Sequence, residues 1–265
     1  MPTHTLQRAL VTAALAAALT SAGAATPVAT YLFNGNLAAV ETGAPALVAI
    51  DPLAANRFET AVVGGVSQSV YHWDGSGSEA SLNAGLQLNA SGLVQYNNYS
   101  IEMVFEFLEP AAFGGGWRRI VNTQNRQSDD GFYVEPGNRL QVYPDVTGTT
   151  VFTSPGFHRV VLSNFVVGGV REVKAYLDGN LELTSGSDQL NLDLVTNPGH
   201  LLHFFVDNLA SNAQQEFADG RIAYLRLYDG VVIPTVPEPG TWAMWLCGGA
   251  WLGSFALRRR RAVAA

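Results

Sequence analysis

Residues 99–108 read Tyr-Ser-Ile-Glu-Met-Val-Phe-Glu-Phe-Leu. Ile101, Met103, Phe105 and Phe107 occupy every second position, with Glu102, Val104, Glu106 and Leu108 between them. Successive side chains of a strand point to opposite faces, so this run predicts a strand with one wholly apolar face. The same alternation recurs on both sides of it. Runs at 30–33, 70–73, 85–89, 118–123, 131–134, 139–143, 157–165, 172–177, 181–184, 200–207 and 220–229 are bounded by Gly, Asn, Asp or Pro. Asp178-Gly179 is the residue pair of a tight hairpin, joining 172–177 to 181–184. No long stretch has helical period, and 211–217 is the one plausible helical turn. Many short strands with regular turns predict an all-β chain, a two-sheet antiparallel sandwich.

The two ends of the chain read differently from its middle. Residues 1–8 carry Arg8, 9–19 are rich in Ala and Leu, and Ala22-Gly23-Ala24 supplies a small-x-small site. That order predicts a secretory signal over 1–24, cut by signal peptidase and too short for a permanent span. At the other end, Pro237, Glu238 and Pro239 lie in a polar, proline-punctuated segment. Residues 241–257 are uncharged and apolar or small, and Arg258, Arg259, Arg260 and Arg261 follow without a break. A helix over 241–257 would be roughly 25 Å long at 1.5 Å per residue, slightly short of a bilayer core. Arginines resist translocation, so the basic block predicts a cytoplasmic end with the preceding chain outside. The organisation is therefore 1–24 signal peptide, 25–232 domain, and 233–265 linker and tail.

This succession of Pro-Glu-Pro, apolar helix and arginine cluster resembles the PEP-CTERM sorting tail of Gram-negative bacteria. The resemblance implies that an exosortase recognises Pro237-Glu238-Pro239 and that the helix and basic end are removed. It also implies export through the inner membrane and residence at the cell surface or in the extracellular matrix. A plain C-terminal membrane anchor is the alternative reading of the same residues.

Charge narrows the partners. The whole chain is −7, but without Arg8, the four terminal arginines and Glu238 ten basic side chains face twenty-one acidic ones, a balance of −11. An acidic surface of that size argues against nucleic acid and anionic lipid as partners. Lys174 is the sole lysine, and the one cysteine, Cys247, lies in the tail, so no disulfide is expected in the domain.

Within the domain, Phe157-His158-Arg159-Val160-Val161-Leu162 is followed by Tyr176-Leu177-Asp178-Gly179-Asn180, and 220–229 supplies a closing strand. This order resembles the LamG-like, concanavalin A-like jelly roll. The resemblance implies a module that binds sugars, proteins or calcium, with glycosidases among its relatives. Fold alone does not choose among these.

The residues give partial guidance. Glu102 and Glu106 share a face, but their Cα atoms are expected about 13 Å apart, too far for a retaining or an inverting carboxylate pair. They read as outward residues on a half-solvated face, and the chain is expected to be non-enzymatic. Gly-x-Ser-x-Gly, His-Glu-x-x-His and phosphate-loop patterns are absent from the sequence. Asp207 with Asn208 and Glu216 offers hard oxygen ligands, so a structural calcium is one reading of them; the other, which more often holds, is a turn whose Asp or Asn bonds its own backbone. A carbohydrate surface needs aromatics beside hydrogen-bonding groups. Tyr71 and Trp73, and Trp117 and Tyr133 beside a glycine-rich loop, are the candidates; the alternative for all four is the core, where aromatics of a sandwich more often sit. His200 and His203, three apart on an expected strand, should face opposite ways. The expected function is adhesion to polysaccharide or a surface protein. A glycosidase relative and a purely structural surface protein remain the alternatives.

Overall fold

A computed structural model describes residues 25–75, 79–109, 116–210 and 216–234. The signal at 1–24, Pro237–Pro239, the apolar run 241–257 and Arg258–Arg261 lie outside the described residues. Among the described residues, no helix is long and apolar enough to cross a membrane.

The chain folds as two antiparallel sheets packed face to face. In chain order the strands are β1 (Ala29–Tyr31), β2 (Val48–Ile50), β3 (Arg57–Val63), β4 (Val66–Trp73), β5 (Gly85–Asn89), β6 (Tyr99–Phe107), β7 (Arg118–Asn122) and β8 (Gly131–Val134). They continue with β9 (Arg139–Tyr143), β10 (Val146–Val151), β11 (His158–Val167), β12 (Val170–Leu177), β13 (Asn180–Ser185), β14 (Leu201–Phe204) and β15 (Gly220–Asp229). The larger sheet runs β13-β12-β11-β6-β15-β4-β3, with β1 also paired to β15. The smaller runs β10-β9-β8-β7-β14-β5-β2. A 3-10 turn, Ala80–Leu82, precedes β5.

The strand at 99–107 lies near the middle of the larger sheet, between β11 and β15. Its apolar face, Ile101, Met103, Phe105 and Phe107, is fully buried and meets Phe152 and Phe205 ring to ring. Phe132, Val134, Leu140, Val142, Leu202 and Phe204 answer from the smaller sheet. Burying one such side chain stabilises by roughly 1.5–3 kcal/mol, so the sandwich rests on this seam. Among the described residues, every strand and the core lie within 25–234, so that span holds a hydrophobic core of its own.

Three strands exceed the sequence expectation. β2 is only three residues long, and its residues are largely exposed. β3 leaves Phe58 and Val62 exposed, which blurs the alternation, yet Gly64-Gly65 before β4 marks the hairpin. Both glycines have positive φ, as a two-residue turn requires. β10 lies beyond Tyr143 and holds Gly148 in its interior. The expected strand 200–207 shortens to Leu201–Phe204, because His200 and Phe205 both take positive φ and bend the chain at each end. The expected helical turn over 211–217 falls largely outside the described residues.

Candidate functional site

Sequence reasoning nominated two pairs of aromatics, and the structure separates them. Tyr71 and Trp73 sit on the core side of β4. Trp73 is fully buried, donates Nε1–H to the Ala218 carbonyl over 2.7 Å and stacks on Phe205. Tyr71 packs against Phe33 and Phe58, and Asn56 Nδ2 donates to its hydroxyl. Both are core residues, not an exposed surface. The reason is register: β4 buries Val70 to Trp73 where β15 and β3 flank it.

Trp117 and Tyr133 are instead brought together on the outer face of the smaller sheet. Trp117 meets Tyr133 edge to face at 5.5 Å and 82°, and meets Tyr143 at 5.3 Å and 81°. Tyr133 and Tyr143 are 6.1 Å apart. Tyr133 is wholly buried, while Trp117 and Tyr143 are half-exposed. Tyr133 thus braces two rings that remain open to solvent. Arg119, Tyr133, Gln141 and Thr147 pair in turn across β7, β8, β9 and β10, forming a polar row beside the rings. Tyr143 and Gln141 were not foreseen as site residues. Their signal was present, because Leu140 and Val142 alternate with them and take the core.

Beneath this face lies a buried charge cluster. The Arg119 guanidinium, fully buried, lies over the Tyr133 ring at 4.4 Å. Its Nη2 is 2.8 Å from Glu216 Oε2, 3.5 Å from Asp129 Oδ1 and 4.0 Å from Asp207 Oδ1. The Tyr133 hydroxyl is 2.8 Å from the same Glu216 oxygen. Burial lifts the Glu216 carboxyl to about 7, against the pull of Arg119 and the Tyr133 hydroxyl. Burial also raises Asp207. Burial, with Arg126 and Arg119 nearby, depresses His203 to about 4.

Asp207 and Glu216 therefore converge as expected, but around a guanidinium. The Asp207 oxygens accept backbone N–H groups of Asn208 at 2.6 Å and Glu216 at 2.9 Å. Arg119 already supplies the cation that balances Glu216. A calcium ion needs six to eight oxygen ligands, and this donor set does not fit one. Among the described residues, no group of three or more His, Cys, Asp or Glu is arranged to hold a metal. His203 is buried on the outer face and meets Gln87 Oε1 at 3.1 Å; His200 stacks on Tyr96.

Glu102 and Glu106 do face outward, on the larger sheet, but they are not solvated. They are 3% and 5% exposed beneath a layer of arginines. Arg226 pairs across the ladder from Glu102, and Arg221 from Glu106. Glu102 receives hydrogen bonds from the Tyr228 hydroxyl at 2.6 Å, Arg159 Nε at 2.7 Å and the Tyr224 hydroxyl at 2.8 Å. Burial opposes its charge, yet these donors hold its carboxyl below the ordinary range. Burial raises Glu106, with Arg221 at 3.1 Å opposing.

No family model and no curated protein matches the chain. Among solved structures, the botulinum neurotoxin serotype D binding domain superposes with a TM-score of 0.46 at 16% identity, over 78% of this chain and 48% of the toxin domain. A botulinum neurotoxin type C structure, whose cell entry depends on two ganglioside molecules, gives 0.48 at 12% identity over 78% and 48%. The Ruminococcus gnavus sialidase CBM40 bound to sialyllactose gives 0.40 at 11% identity over 54% and 82%. The chain spans about half the length of the toxin domains. At this level of overlap, the sandwich architecture rests on the chain's own strand pairing.

Proposed function

We propose that this chain is an exported, non-enzymatic module of the LamG-like kind that binds polysaccharide, delivered by a C-terminal sorting tail. The observation that carries the binding reading is the Trp117–Tyr133–Tyr143 group. Most of the large aromatics are spent on the core, whereas Trp117 and Tyr143 stay half-open on the outer face. Exposed rings offer flat apolar faces to sugar C–H groups, and the neighbouring Gln141 offers an amide donor and acceptor. Tyr133 and Arg119 hold the rings from below, which reduces the ordering cost of binding.

A hydrolytic reading has less support. Glu102 is committed to Arg159 and two tyrosine hydroxyls and Glu106 to Arg221, and the two do not line one cleft as a pair. The export reading rests on the order of the signal, Pro237-Glu238-Pro239, the apolar run and the four arginines. It makes signal peptidase and exosortase the processing partners, and the cell surface or matrix of a Gram-negative bacterium the destination.

A glycan array probed with residues 25–234 tests the binding reading, with tryptophan fluorescence to measure affinity for any glycan retained. Trp117→Ala and Tyr143→Ala should each weaken that affinity by about thirtyfold, the effect of losing roughly 2 kcal/mol of central contact. An array with no binder, or variants that bind as wild type does, overturns it.

A further inference from the structure

The larger sheet carries a groove of about 950 Å³ on its outer face, opposite the aromatic group and independent of it. Glu102, Arg159 and Arg226 form its floor. Leu32 and Val40 stand on one side, and the exit segment 231–234 on the other. That segment is fixed in place. Val232 N–H donates to Ser100 Oγ at 2.9 Å, and Ser163 Oγ–H donates to the Val232 carbonyl at 2.7 Å. The groove is therefore preformed, and its volume lies within the range of small-molecule sites.

Its charge does not cancel. Glu102 accepts from two tyrosine hydroxyls and Arg159 Nε. Arg226 Nη1 stands 3.6 Å from Glu102, beyond hydrogen-bond length, and its guanidinium is held over the Tyr224 ring at 4.5 Å. Two guanidinium groups, each with a side chain 36% exposed, thus face one carboxylate. Among the lining residues the guanidinium groups outnumber the carboxylates by one, and the neighbouring Glu41 carboxylate is turned to Thr30, whose Oγ1–H it accepts at 2.7 Å. The walls are aliphatic and open: Leu32 is 40% exposed, Val40 61% and Ile233 63%. Tyr228, the one aromatic in the lining, is itself buried, so no ring is offered for a sugar to stack on.

The geometry points to a second binding site, for a small amphipathic anion whose carboxylate head pairs with Arg226 and Arg159 and whose aliphatic body lies along Leu32, Val40 and Ile233. Planar guanidinium groups match a carboxylate with parallel N–H donors, and aliphatic walls take a hydrocarbon chain. Calorimetric titration of residues 25–234 with octanoate tests this, with 1-octanol as the uncharged control and glucuronate as the control without a chain. Octanoate should bind, and each control should bind about tenfold more weakly or worse, the value of one lost charged contact. Arg226→Gln should remove the octanoate preference at a temperature where circular dichroism shows the variant folded, while Trp117→Ala should leave octanoate binding intact and so separate this site from the aromatic one. Equal affinity for octanoate and octanol, tighter binding of glucuronate, no binding of octanoate, or an unchanged Arg226→Gln variant would each overturn the assignment.

Discussion

Trp73 lies flat against Phe205, ring centroids 3.8 Å apart and planes 8° apart, where the two sheets meet. Gly220, paired across the ladder from Trp73, makes room for the indole: a Cβ there would stand 2.1 Å from Trp73 Cζ2 and 2.5 Å from the Glu106 carbonyl oxygen. Trp73→Ala should cost about 3–5 kcal/mol of stability through the cavity it leaves. Gly220→Ala should cost at least about 1–3 kcal/mol by overpacking, since the backbone carbonyl cannot yield. Urea unfolding of residues 25–234 reads both. Stability within error of wild type in either variant would mean that this contact does not anchor the sandwich.

Arg119 is the second anchor. Its guanidinium balances Glu216 in a place closed to water, so removing it leaves a carboxylate with no cation. Arg119→Met should destabilise by about 3–5 kcal/mol, and adding Glu216→Gln should recover part of that loss. Because the cation here is a side chain, excess EDTA should leave the melting temperature unchanged. A fall with EDTA, restored by calcium, would show that an ion shares the cluster.

His203 predicts a pH signature. Burial holds it neutral down to about pH 4, whereas an unfolded histidine titrates near 6.5. Between those values the unfolded chain binds more protons, so the His203 contribution to stability rises with pH and is complete above about 6.5. The melting-temperature difference between wild type and His203→Gln should grow from pH 4 to 6.5 and then level off. Glu216, whose carboxyl is raised to about 7, acts in the opposite sense: its contribution is full below about 4.5 and is lost as pH rises through 7. Comparing wild type with His203→Gln isolates the histidine. A difference independent of pH would show that His203 is protonated equally in both states.

The tail predicts a processing event. Replacing Pro237, Glu238 and Pro239 with alanine keeps the apolar run and its arginines, so membrane insertion should persist. Full-length protein should accumulate in the inner membrane, while wild type loses the residues beyond the motif. Intact mass and membrane fraction, in cells with and without exosortase, read the outcome. Identical masses for wild type and variant would make the motif a linker and the protein a membrane-anchored sandwich.

The sequence by itself determined the strands whose alternation is strong. The apolar positions of 99–107 allowed only one side to face the core, and Asp178-Gly179 allowed only a tight turn, so both appear as read. These signals are local: periodicity two and positive φ are properties of a few consecutive residues. What the outer faces became was decided by pairing between distant strands. Glu102 reads as a solvated residue until Arg159, Tyr224, Arg226 and Tyr228, some 57 to 126 positions away, close over it. Asp207 and Glu216 read as metal ligands until β7 brings Arg119 between them. Trp73 and Trp117 are both tryptophans beside glycine-rich turns, yet one becomes core and the other surface. Which aromatic is buried depends on which sheet covers its face, and a single strand's pattern does not record its neighbours.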